Sequence, residues 1–213
     1  MDRRLPPLVE TTMSEFQYYE FVAIDSPLSL AVQKQLRAIT SRATITATRL
    51  VNTYEWGDFK GDPHALVTRH FDAFLYYANW GARHLSLRVP AAKLDMKLVL
   101  QYCAPRPVKS RGGSSVATVS KNETHLVLSW WSEDDSTEDQ DEFESSVFAA
   151  LTPIRNELMS GDYRALYLSW LLRQRAGEIR RTDKEPARPP DMKRMTGSQM
   201  ALAEFLRLDL SGL

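Results

Sequence analysis

The sequence predicts an α+β protein: a ferredoxin-like βαββαβ antiparallel sheet, extended by a hairpin and followed by a helical C-terminal part. Three observations carry this. Aromatic and β-branched runs alternate with helical patterns through residues 14–90. Two of those helical patterns open on a cap and proline, Asp25-Ser26-Pro27 and Asp62-Pro63, and proline suits the first helical position. From residue 143 onward, apolar residues recur mainly at helical spacing.

Each element follows in order. Phe16–Ile24 (FQYYEFVAI) is apolar or aromatic on both faces and reads as a buried central strand. Leu28, Val32, Leu36 and Ile39 predict a helix over 27–40. Ala43–Thr48 and Leu50–Trp56 alternate, as two strands or one bent strand. Gly57–Gly61 is a glycine-bracketed loop. Val67, Phe71, Phe74, Leu75 and Ala78 then mark a helical face, closed by Gly81. Ala82–Val89 alternates as a strand, and a short helix follows over 91–102. Val116–Val119 and His125–Trp131 read as a hairpin, with the two indoles Trp130 and Trp131 on opposite faces. Ser132–Glu144 holds eight acids in thirteen residues. Tyr163, Leu166, Tyr167, Trp170 and Leu171 form the most regular helical stripe, and a last short helix presents Leu202, Phe205 and Leu206. The resulting organisation is a flexible extension (1–13), a sheet core (14–131), an acidic loop (132–142), a helical part packed on the core (143–178), a basic Pro-containing linker (179–197) and a short C-terminal helix (198–213). Met13 is an alternative start, because ordered pattern begins at Phe16.

Composition bounds the function classes. The 213 residues carry 27 basic and 27 acidic side chains, so the formal charge is zero. This argues against a generally basic nucleic-acid-coating protein. The N-terminus has no apolar signal segment, no run reaches the ~18 apolar residues of a membrane span, and Cys103 has no second cysteine to pair with. The expected setting is cytoplasmic, with no membrane association.

Chemistry is sparse. The four histidines have no metal-ligand spacing, and no glycine-rich phosphate loop or nucleophile elbow is present. No metal or cofactor is expected. Cys103 reads as a buried small hydrophobe. The weak catalytic candidates are Asp58, Asp62 and His64, since carboxylates beside a histidine suit acid–base or metal-assisted hydrolytic work. Asp62 is equally explained as a helix cap and Asp58 as a turn residue. A second constellation is Tyr54, Trp56, Arg83, His84 and Arg88, which would share an open sheet face if their strands are neighbours. Aromatics with arginines on such a face stack nucleic-acid bases. Cover by the C-terminal helices is the competing expectation. A third set lies in the tail: Arg180, Arg181, Lys193 and Arg194, with Leu202, Phe205 and Leu206, suits helix-in-groove docking on a protein partner.

The phrases YYEFVAID (18–25), YEWGDFKGDP (54–63), FDAFLYYANWG (71–81) and ALYLSWL (165–171) resemble those of a family of bacterial hypothetical proteins over about residues 14–210. The resemblance implies a bacterial cytosolic origin and transfers no site residue. Members of that family continue past the position where this chain ends, which implies a shorter copy or a chain cut there. The expected function is therefore non-catalytic, a protein-interaction or adaptor subunit. Nucleic-acid binding is the alternative, and a hydrolytic or metal-dependent enzyme the second.

Overall fold

A computed structural model describes residues 15–106, 115–133 and 146–213. The sequence expectations for the 1–13 extension and for most of the acidic loop lie outside them. The protein is mixed α and β, built on an open eight-stranded sheet. The strands are β1 (Gln17–Val22), β2 (Thr44–Ile45), β3 (Arg49–Tyr54), β4 (Ala73–Ala78), β5 (Arg83–Pro90), β6 (Ala104–Pro105), β7 (Ala117–Lys121) and β8 (His125–Ser132). They lie in the order β2-β3-β1-β4-β5-β8-β7-β6. Every pairing is antiparallel except β6 with β7. Both edge strands are two residues long, which leaves little unpaired backbone to recruit another chain.

This sheet is larger than the ferredoxin-like reading, and one element of that reading is corrected. The helix read across Val67–Ala78 stops at Arg69, and Ala73–Ala78 is a strand. Helix α2 (Pro63–Arg69) starts where its signals place it: Asp62 Oδ1 accepts the Ala65 N–H at 3.2 Å, with Pro63 in the first turn. Asp72 then redirects the chain. Its carboxylate accepts the N–H groups of Ile24 (2.7 Å) and Asp25 (2.9 Å), and its own N–H donates to Val22 O. That bonding zips β4 onto β1. The Asp25-Ser26-Pro27 cap is also displaced: helix α1 (Leu30–Ile39) is capped by Ser29. Asp25 instead meets Arg155 at 2.5 Å.

Both faces of the sheet are covered. On the first, α1, α2 and Phe59 pack over Tyr19, Phe21, Phe74 and Leu50. Short helices α3 (Met96–Val99), α4 (Ser146–Leu151) and α5 (Ile154–Met159), with α6 (Arg164–Arg175) and α7 (Gly197–Phe205), belong to the second face. There they cover Leu75, Tyr77, Leu85, Leu87, Leu128 and Trp130. Helix α6 is buried almost all round rather than along one stripe, as expected for a helix held between a sheet and another helix. Trp130 Nε1 donates to Ser169 Oγ of α6 at 2.7 Å, satisfying a fully buried indole.

The C-terminal segment is part of this core, which corrects the docking-tail reading. Thr196 and Gln199 form a reciprocal capping box at the start of α7, and Thr196 Oγ1 donates to Glu157 of α5 at 2.7 Å. Leu202, Phe205 and Leu206 are buried against the protein's own second face. The basic Pro-containing segment is anchored rather than free: Met192 is buried, Tyr102 Oη donates to Ala187 O at 2.6 Å, and Arg164 donates to Arg194 O. No helix of the described residues is long and apolar enough to cross a membrane.

Candidate interaction surface

The first face changes character along its rows of register partners. One row runs Phe21, Phe74, Ser86, Ser129, Thr118 across β1-β4-β5-β8-β7. Its β1–β4 part is aromatic, with Phe21 and Phe74 stacked at 4.4 Å. Beyond β4 it is polar: Ser86 Oγ lies 2.8 Å from Ser129 Oγ and 3.1 Å from His84 Nε2. His64 of α2 brings its Nε2 to 3.2 Å from Ser120 Oγ on β7. Burial lowers the pKa of both histidines, and the Arg106 charge adds to it; His84 falls to about 3. Both are neutral at physiological pH. A serine–histidine nucleophile needs an orienting group on the second ring nitrogen. Among the described residues no carboxylate bonds to either ring, and His64 Nδ1 is buried without a partner. Ser86 is itself buried. The arrangement is a structural polar seam.

The neighbouring row reaches the surface. It runs Tyr19, Tyr76, His84, Trp131 across β1-β4-β5-β8. Tyr19 and Tyr76 lie 4.8 Å apart between ring centroids, and Tyr76 stacks on Trp131 at 6.0 Å and 15°. Tyr54 closes the β3 end with its ring edge-on to Tyr19 at 5.6 Å. Gln17 at the start of β1 ties this row together. Its Oε1 accepts the Tyr19 hydroxyl (2.8 Å) and the Tyr76 hydroxyl (3.4 Å). Its Nε2 donates to Gly57 O (2.8 Å) and approaches Asp58 Oδ1 (3.5 Å). A buried amide thus pins the Trp56-Gly57-Asp58 turn to the sheet. Gly57 sits at φ 80°, a conformation that side-chain-bearing residues rarely adopt. At Gly61 an added Cβ would fall 2.7 Å from the Phe59 ring, so glycine lets the turn close over that ring.

The β8 end of this row and the turn after β3 are exposed. Trp56 is 72% exposed and Trp131 36%. Trp131 Nε1 donates to Glu133 at 3.4 Å. Burial pushes the Tyr76 hydroxyl above its ordinary pKa, and the neighbouring Tyr19 and then the charges of Asp58 and Glu133 push it further. Tyr19 rises to about 12, by burial first and then by Asp58. Two carboxylates from separate elements, the β3–α2 turn and the end of β8, border this row at Gln17 and at Trp131.

No family model, curated protein or solved structure matches this chain.

The surface rests on its geometry alone. The sequence-named residues fall as follows. Tyr54 and Trp56 lie at its β3 end. His84 lies in the row but is packed between Phe74 (5.3 Å) and Trp131 (5.5 Å). The β3 and β5 strands are not neighbours, because β1 and β4 stand between them. Arg83 points to the second face, where it bonds the Phe205 carbonyl at 3.2 Å. Arg88 is bound to Asp72 at 2.7 Å. The shared aromatic–arginine face read from the sequence is therefore not formed. Asp58, Asp62 and His64 do not assemble either: Asp62 caps α2, His64 faces Ser120, and Asp58 faces Gln17. Arg180, Arg181, Lys193 and Arg194 are exposed, the last two beside a shallow hollow of about 510 Å³ with Arg188 and Met192. Among the described residues no three His, Cys, Asp or Glu side chains converge as metal ligands.

Sequence reading missed Gln17, Tyr76, Trp131 and Glu133 as site residues. Tyr76 was hidden by the helical reading of its strand. Glu133 was absorbed into the acidic run that it opens. The available signal was the pair Tyr76-Tyr77, whose rings part to opposite faces only in a strand.

Proposed function

We propose that this protein is a non-catalytic interaction subunit of a bacterial cytosolic system, and that it binds a protein partner through the rim made by Trp56, Tyr54, Tyr76 and Trp131. One observation carries the reading: Trp131 stands exposed at the β8 end of an aromatic row, and a second exposed tryptophan, Trp56, stands on the turn that the buried Gln17 amide ties to the same row. Leaving most of an indole in water forgoes on the order of 2 kcal/mol of burial. Rigid exposed tryptophan and tyrosine are the usual anchors of protein interfaces. The two other functional readings have less support. Asp58 and Glu133 at the rim disfavour a polyphosphate backbone. The catalytic candidates are each engaged in separate structural contacts.

The test is site-specific photocrosslinking in cells that express the protein. A crosslinker at position 56 or 131 should capture a discrete polypeptide, while one at exposed Lys97 on the second-face helix α3 should not. Capture of nucleic acid alone, or equal capture from all three positions, would overturn the proposal.

A further inference from the structure

We infer that this rim recognises a cationic side chain, an arginine in preference to a lysine, carried on a basic polypeptide segment; the inference rests on the interaction reading above and names its partner's chemistry. Asp58 lies 3.5 Å from the Gln17 amide that also accepts the Tyr76 hydroxyl, and Glu133 accepts the Trp131 indole N–H at 3.4 Å, on the ring that stacks on Tyr76. Both are exposed, and among the described residues neither has an ion-pair partner within the protein. The wall between them is aromatic, with Trp131 stacked on Tyr76. Carboxylates and aromatic faces have one preference in common, a cation. The two nearby histidines add no competing charge at neutral pH, since burial keeps both neutral.

Guanidinium fits better than ammonium for a physical reason. It is planar, so it stacks on an indole while its edge donates to carboxylates, and it is more weakly hydrated. The partner is a polypeptide because the exposed anchors lie far apart along the rim. From β3 to β8 there are four inter-strand steps, about 19 Å at ~4.8 Å each, which matches about six residues of extended chain.

The test titrates the full chain, by tryptophan fluorescence and calorimetry, with three nine-residue Gly/Ser peptides carrying three Arg, three Lys or three Glu. At low salt the Arg peptide should bind, the Lys peptide more weakly and the Glu peptide not at all. Asp58→Asn and Glu133→Gln should each weaken the Arg peptide about 2–5-fold, the range of an exposed ion pair. Trp131→Ala should cost a similar factor through the lost cation–π contact. Both carboxamide variants are exposed and near-isosteric, and an unchanged melting curve confirms that they fold. Equal binding of the Glu peptide, or Arg binding indifferent to the Asp58→Asn/Glu133→Gln double variant, overturns the cationic inference. If crosslinks from positions 56 and 131 still capture a polypeptide in that case, the interaction reading stands without it. Binding of a single-stranded oligonucleotide lost in Trp131→Ala overturns both.

Discussion

Asp72 is a buried carboxylate that ties the end of β1 to β5 at the start of β4. Burial alone would raise its pKa, yet hydrogen bonds from the Asp25 N–H, the Arg88 guanidinium and the Ile24 N–H hold it below the usual carboxylate value. Arg155, itself buried, adds a second guanidinium 3.7 Å away and donates to Arg88 O at 2.6 Å. The network joins β1, β4, β5 and α5, and all of its members except Asp25 are largely withdrawn from water. At the histidines the signs are easier to test. His84 titrates at about 3 when folded against 6.5 unfolded, and burial, its largest cause, also lowers His64, His70 and His125. The unfolded chain therefore binds more protons than the folded one below pH 6.5. Stability is full above that pH and is lost as pH falls from about 6.5 toward 3. Asp162, held at about 2 chiefly by the Arg164 side chain, extends the loss below pH 4. Urea midpoints for the protein should fall between pH 7.5 and pH 5. His84→Gln, which cannot protonate, should show a smaller fall, and equal falls would refute the assignment.

At the scale of elements, the error over Phe71–Ala78 is instructive. Val67, Phe71, Phe74, Leu75 and Ala78 do match a helical period, and the cap at Asp62 is real. But β4 is buried on both faces, so its sequence is continuously apolar and shows no period of two. Periodicity cannot separate a buried strand from a buried helix. The hydrogen bonds of Asp72, which span 47 and 48 residues of sequence, make the choice. Helix α7 shows the opposite case. Its apolar side was legible, but not its capping box or whether that side meets a partner or the protein's own sheet. The structure places it on the sheet. Phe205→Ala should therefore destabilise the protein by about 3–5 kcal/mol, the cost of emptying a packed aromatic site. Chemical denaturation measures this. An unchanged stability with loss of a binding partner would restore the docking-tail reading.

For the whole molecule, the two cores share strands β1 and β4, each with one apolar face in each core. Neither core survives without the sheet, so unfolding is expected in one cooperative step. Cys103 reports on it: the thiol is buried in the second core, and burial pushes its pKa up to about 11. It should resist iodoacetamide in the native protein and react in proportion to the unfolded fraction across a denaturant titration. Reaction that precedes the loss of tryptophan fluorescence change would show that the second core opens separately.

The sequence by itself determined the α+β class, the central buried strand, the cap at Asp62, the strand hairpin with its two opposed indoles, and the burial of Cys103. These are local or compositional properties, encoded within a few turns or one alternation. Tertiary structure alone decided the strand order, the strand identity of Ala73–Ala78, the cover on both faces, and the convergence of Gln17, Asp58, Tyr76, Trp131 and Glu133 on one rim. Each of those depends on pairing between residues tens of positions apart, where hydrogen-bond satisfaction and close packing choose among arrangements that hydrophobic pattern leaves equal.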